Sequence, residues 1–160
     1  QEKIEAKARE FPQIRAALRR ISEKKPLRPE RDNLCPRCRV PLAETFYEGV
    51  AVRSCGKCGG RLVDMAGVDK IVARREVAFS ADLLEKARRF REKVLLNPLK
   101  KQKINTGVKG AADCPACGYK MVARPYNYQY FVPVDKCLSC SRIWFDTDEL
   151  EILQILIESR

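Results

Sequence analysis

Eight cysteines fall in four Cys-x-x-Cys pairs, Cys35/Cys38, Cys55/Cys58, Cys114/Cys117 and Cys137/Cys140, and the chain holds no other cysteine and no histidine. Two soft sulfurs on one tight turn supply half of a tetrahedral shell, so two such turns complete a site of four thiolates. The pairs are 16 residues apart in the first unit and 19 in the second, which suits four-cysteine zinc sites. The chemistry to expect is metal binding by all eight cysteines, with two structural Zn2+ per chain.

Two other readings compete. A disulfide framework accounts for an even cysteine count, but it belongs to shorter secreted chains with less regular spacing and a signal peptide. Iron is the second, because Cys114-Pro-Ala-Cys117-Gly118-Tyr119 looks like a rubredoxin knuckle, and four sulfurs alone do not separate Fe from Zn. Catalytic zinc is not expected, since such sites keep a coordination position open for water and four cysteines close the shell. Without histidine there is no imidazole base, and no Gly-rich phosphate loop occurs. Asp64 and Asp146 stand just before expected helices and read as caps rather than as acid/base groups. The chain is therefore expected not to be an enzyme in itself.

The formal charge of the 160 residues is +11, and eight thiolates on two Zn2+ reduce it to about +7. A basic balance favours nucleic acid or an acidic protein as partner. No apolar run reaches the 18 or more residues of a membrane span. A reducing, cytoplasmic compartment is expected. Because residue 1 is Gln1, an attached upstream region is expected as well, one that could tether the chain to a membrane.

Each cysteine unit is too small to hold together by apolar burial alone, so metal must supply folding free energy. The units repeat: Cys35-Pro36-Arg37-Cys38 aligns with Cys114-Pro115-Ala116-Cys117, Val50 to Cys55 with Val132 to Cys137, and Leu62-Val63-Asp64 with Trp144-Phe145-Asp146. Alternation predicts a hairpin before each second pair. Phe46, Val50 and Val52 share a face in the first, and Tyr126, Tyr128, Tyr130, Val132 and Val134 in the second, with a turn at Gly49 and an edge or bulge at Pro133. Asp64 should cap a short helix carrying Val68, Ile71 and Val72. Asp146 should cap a helix from Thr147, with Glu149 completing a capping box and Leu150, Leu153, Leu156 and Ile157 as the apolar stripe. Ile152 and Ile155 widen that stripe until the helix must dock on the other unit, the linker helix or a partner. Ser80 should start the linker helix, with Leu83, Ala87, Phe90 and Val94 on one face. The organisation expected is an N-terminal helical segment over 1–31, a first metal unit over 32–76, a basic helical linker over 77–110 and a second unit over 111–160. The fold class expected is α+β: a small metal-stabilised protein of two four-cysteine β-hairpin units joined and flanked by α-helices.

With these residues in view, the chain resembles the transcription factor IIB-type zinc ribbons of bacterial proteins. The family's ending is Cys-x-x-Cys-Gly-Gly-x-Trp-Leu-Asp-x-Gly-Glu-Leu. The first unit keeps Cys58-Gly59-Gly60 but has Leu62 for the tryptophan and Gly67-Val68 for Glu-Leu, whereas the second keeps Trp144, Asp146, Glu149 and Leu150 but has Ser141-Arg142 for Gly-Gly. The resemblance implies a non-catalytic module that binds nucleic acid or a protein, with structural zinc in each ribbon. Candidate partner-binding residues are Arg88, Arg89, Arg91 and Lys93 on the linker helix, and Arg124, Tyr126, Tyr128, Tyr130 and Arg142 around the second hairpin, where aromatic faces and guanidinium groups suit stacking on nucleic acid. The duller alternatives are a solvated helix face for the first group and core packing for the tyrosines and Trp144. A separate resemblance, of Phe11-Pro12 and the Arg15, Leu18, Arg19, Ile21 pattern to the segment closing HtpX-like membrane metalloproteases, implies an appendage of a larger enzyme, although no His-Glu-x-x-His lies here.

Overall fold

A computed structural model describes residues 33–74, 78–96, 112–127 and 129–159. The N-terminal helical segment, the Lys100-to-Gly110 connector and Tyr128 lie outside the described residues. Six strands, β1 (Ala43–Tyr47), β2 (Val50–Ser54), β3 (Arg61–Asp64), β4 (Val122–Pro125), β5 (Pro133–Lys136) and β6 (Arg142–Phe145), form one antiparallel sheet in the order β1-β2-β3-β6-β5-β4. Three helices accompany them: α1 (Met65–Ala73), α2 (Ala81–Leu96) and α3 (Glu149–Glu158). The α+β class and the two hairpins are present, but the shared face expected for Phe46, Val50 and Val52 is not: the register sets Phe46 opposite Ala51, so it points away from Val50 and Val52 into solvent, and Tyr47 lies on their face instead.

What joins the two ribbons is the pairing of β3 with β6. Arg61 faces Phe145, Leu62 faces Trp144 and Val63 faces Ile143. Moving each residue to its repeat equivalent, 82 positions away, exchanges the first and third of these pairs and maps the middle one onto itself. The sheet therefore has an approximate two-fold axis through Leu62 and Trp144. Alternation along β3 and β6 sends Val63, Ile143 and Phe145 into a core with Val68, Ile71, Leu150, Leu153 and Leu156 from the helices. It sends Leu62 and Trp144 to the opposite face, among the cysteines.

The helix starts follow local chemistry in two cases out of three. Asp64 caps α1 by accepting the Gly67 N–H at 2.6 Å, and the Ser80 hydroxyl accepts from Leu83 N at 3.3 Å before α2. In the third the expectation needs correcting. α3 begins at Glu149, behind a left-handed Asp148 that makes no side-chain cap. Glu149 still takes the Asp146 N–H at 2.7 Å, half of the anticipated capping box, but the Asp146 carboxylate turns to Trp144 and Arg37 instead. α3 docks on both the linker helix α2 and α1. Its polar Gln154 and Glu151 reach the first ribbon: the Tyr47 hydroxyl donates to Gln154 Oε1 at 2.6 Å, and Arg61 pairs with Glu151 at 2.5 Å.

The long tyrosine face expected across 126–134 is interrupted. Asn127 Oδ1 accepts from the N–H groups of Gln129 and Tyr130, at 2.9 and 2.6 Å, and reverses the chain there. Pro133 opens β5 opposite Pro125, the last residue of the edge strand β4, so its missing N–H falls where the ladder ends. Gly49 occupies the first hairpin's turn with φ +71°, following Glu48 at +51°. Among the described residues no helix is long and apolar enough to cross a membrane.

Candidate metal centres

All four Cys-x-x-Cys turns have one backbone geometry. The residue after each pair, Arg39, Gly59, Gly118 or Ser141, has φ between +56° and +72°. Its N–H donates to the carbonyl of the first cysteine at 2.8 to 3.1 Å. The first cysteine's own N–H closes the loop on Val40, Gly60, Tyr119 or Arg142, at 2.8 Å in each case. Glycine is the residue for a left-handed position, so Arg39 and Ser141 hold it at a cost of about 1–2 kcal/mol each. Loss of the glycine in two knuckles thus leaves the turn itself intact.

The turns converge as two sets, Cys35, Cys38, Cys55 and Cys58, and Cys114, Cys117, Cys137 and Cys140, with the sulfurs of each set within 4.8 Å of one another. Zn–S bonds of about 2.3 Å in a tetrahedron place sulfurs about 3.8 Å apart. The Sγ distances are 3.8 Å for Cys35 and Cys58, 3.6 Å for Cys114 and Cys140, and 3.4 Å for Cys117 and Cys137. A disulfide needs about 2.05 Å, and all eight cysteines are free, so the disulfide reading is set aside. The sets fit two structural Zn2+ held by thiolates alone.

The thiols' electrostatics suit the same role. Hydrogen bonding with Cys58, then burial, pushes Cys38 up to about 12. Burial opposes ionisation of Cys55, but the N–H groups of Cys58 and Lys57 outweigh it and bring this thiol down to about 7. Burial raises Cys114. At Cys140, burial is overcome by hydrogen bonds from Cys137, Cys117 and Arg142, so the shift is downward. Four crowded sulfurs cannot all carry charge unless a cation lies among them.

Trp144 packs behind the sulfurs, as the core reading of this residue has it, but on the sheet face away from the C-terminal helix, where it serves both sets. It is fully buried in one cluster with Cys35, Cys55, Cys114, Cys117 and Cys137. A Cβ on Gly60 would lie 2.3 Å from its Cζ2, so the second ribbon's tryptophan rests on the first ribbon's glycine. The two ribbons' departures from the family ending are therefore reciprocal: one keeps the glycine pair, and the other keeps the ring that rests on the second of those glycines, Gly60. Arg37, between ligands Cys35 and Cys38, reaches Asp135 at 2.5 Å and Asp146 at 3.1 Å. Neither Arg37 nor Gly60 stood out in the sequence, except as an arginine inside a metal knuckle and as half of a Gly-Gly pair.

The candidate partner-binding residues lie in several environments. On α2, Arg88 pairs with Glu85 and Glu92 at 2.8 and 2.5 Å, and Arg89 with Glu85 at 2.7 Å. These partners hold Glu85 down at about 2. Arg91 donates to the Ser159 hydroxyl, and Lys93 is exposed. Arg124 is exposed on β4, whereas Arg142 sits beside Cys140. Tyr126 and Tyr130 are partly buried against the helical core, and the Lys136 ammonium lies 5.5 Å from the Tyr126 ring centre. Tyr130 and Arg91 share a cavity of about 250 Å3 with Phe90, Val94 and Leu156. The described residues carry sixteen Lys and Arg against fourteen Asp and Glu, so most of the chain's +11 belongs to the rest of the sequence.

Compared with known proteins, the chain matches the family described as transcription factor zinc-finger, the TFIIB-type zinc ribbon, over residues 34–74 and 113–154, just over half of its length. No curated protein and no solved structure matches it.

Proposed function

The chain belongs to the transcription factor zinc-finger family of TFIIB-type ribbons, and on that premise we propose that it is a non-catalytic recognition module whose ribbons bind a protein partner, in extended conformation, along the edge strand β1. The observation that carries this reading is the unequal protection of the two sheet edges. β4 ends at Pro125 opposite Pro133, whereas β1 has no proline, has no further strand beside it among the described residues, and presents Phe46, which is 81% exposed. An open edge offers unpaired N–H and C=O groups to an incoming strand, and an exposed aromatic beside it supplies a contact for alternate side chains.

Two observations support protein over nucleic acid. With eight thiolates and two Zn2+ counted, the near-neutral described fold becomes slightly negative, which disfavours phosphate contacts. The guanidinium groups of Arg88 and Arg89 are engaged by carboxylates of their own helix. The non-catalytic reading is supported by shells filled by four sulfurs, which leave no position for a reacting water.

The test sets a panel of random extended peptides against labelled single- and double-stranded RNA and DNA, using the zinc-loaded full chain. Selected peptides should shift the amide resonances of residues 43–47, and Phe46→Lys should weaken them at least tenfold. Nucleic acid should bind no tighter than about 10⁻⁴ M at physiological salt, the weak end of non-specific association. Tight nucleic-acid binding with a steep negative salt slope would assign that partner instead. Peptide binding indifferent to Phe46→Lys would remove β1 as the surface.

A further inference from the structure

The two metal centres are not equally self-sufficient. In the first, each half of the cysteine shell is braced by the second ribbon. The Cys35/Cys38 knuckle is held through Arg37, whose Nη2 reaches Asp135 Oδ2 at 2.5 Å and Asp146 Oδ2 at 3.2 Å, while its Nε reaches Asp146 Oδ1 at 3.1 Å. Asp135 lies two residues before ligand Cys137, and the same Asp146 Oδ1 accepts the Trp144 indole N–H at 3.1 Å. The Cys55/Cys58 knuckle is held by the Thr147 hydroxyl, which donates to the Cys58 carbonyl, and by the Trp144 ring on Gly60.

In the other direction, the described contacts to the second ribbon's knuckles come from the backbone where β3 ends, with Asp64 paired opposite Arg142. The Met65 N–H donates to the Ser141 carbonyl at 3.1 Å. The position equivalent to Arg37 is Ala116, which has no polar side chain, and the hydrogen bond from Arg142 to Cys140 stays within the second ribbon.

We propose that metal loading of the chain is ordered: the Cys114/Cys117/Cys137/Cys140 centre forms first, and its formation sets Trp144, Asp146, Asp135 and Thr147 in the positions that organise the Cys35/Cys38/Cys55/Cys58 centre. Arg37, Trp144 and Thr147 are then positioning residues for a metal site to which they contribute no ligand. Groups that orient metal ligands in this way typically change metal affinity 10–100-fold when removed. The partly loaded form that accumulates carries metal in the second centre alone.

The test is a Zn2+ titration of the full chain against a competing chromophoric chelator, with native mass spectrometry to count bound ions and Trp144 emission to follow burial of the only tryptophan. Cys58→Ser should leave one ion bound with the affinity of the wild type's tighter site and a blue-shifted emission. Cys140→Ser should weaken the remaining ion at least tenfold. Because Cys140→Ser also disturbs folding, Arg37→Ala serves as the second variant with all eight ligands retained: it should loosen one ion 10–100-fold and leave the other unchanged. Equal losses in the two cysteine variants would overturn the order, as would an Arg37→Ala protein that loosens both ions alike or neither.

Discussion

At the scale of single residues, the metal ligands and the residues that support them differ in how they can be recognised. The eight cysteines announce themselves because each knuckle is a local turn, whose two sulfurs and left-handed following residue lie within five positions. Gly60 does not. Its requirement comes from Trp144, which is 84 positions away, and the family ending alone does not say which ribbon's tryptophan covers which ribbon's glycine. Gly60→Ala places a methyl 2.3 Å from Cζ2 and 3.0 Å from Cη2 of a buried, rigid ring, and such overpacking typically costs about 1–3 kcal/mol. Urea denaturation of the zinc-loaded variant should show this loss together with a red shift of the tryptophan emission. A Gly60→Ala protein with unchanged midpoint and emission would refute the packing of Trp144 on Gly60.

Among the elements, α1 and α3 contrast in how they begin. Asp64 caps α1 through a 2.6 Å bond to Gly67 N, the contact its place in the sequence predicts. The equivalent Asp146 lies among stronger partners, Arg37 and the indole N–H of Trp144. α3 consequently starts behind Asp148, at φ +66° and without a side-chain cap. Asp64→Ala should cost about 1 kcal/mol, the usual worth of an N-cap. Asp148→Gly should be neutral or slightly stabilising, because relief of a left-handed conformation worth about 1–2 kcal/mol offsets the partly exposed ion pair with Lys86. Thermal melts of the two variants settle the matter, and equal destabilisation by both would show that Asp148 does more at the start of α3 than its geometry indicates. The same competition explains the tyrosines. Alternation placed them on one strand face, but the side chain of Asn127 turns the backbone between Tyr126 and Tyr130, a local contact that a period-two pattern does not register.

For the whole molecule, the β3–β6 pairing makes one sheet and one helical-side core from two repeats. Val52, Val63 and Ile71 of the first ribbon share that core with Val134, Phe145 and Leu153 of the second, so neither unit's apolar burial is complete without the other. Unfolding of the zinc-loaded chain should therefore be a single calorimetric transition, with calorimetric and van't Hoff enthalpies equal. Chelation of the metal should abolish it, because structural zinc contributes about 10–16 kcal/mol where a whole domain is stable by about 5–15. Two resolved transitions, or a chelated chain that keeps its near-ultraviolet signal, would contradict this arrangement. The scale of the molecule also changes the meaning of its charge, because the basic balance of the whole sequence is not that of the described ribbons.

Sequence by itself determined the four-thiolate metal chemistry, the four knuckles, the two hairpins and two of three helix starts, since each depends on residues within a single repeat. It also marked α3 as apolar nearly all round and hence in need of partners. Only the tertiary structure decided that the repeats share one sheet about an axis through Leu62 and Trp144, that Trp144 covers the other ribbon's glycine, and that Arg37 bridges to Asp135 and Asp146. Those contacts join positions some 80 to 110 residues apart. Their free energy comes from packing and ion pairing across the interface between repeats, which no pattern within either repeat specifies.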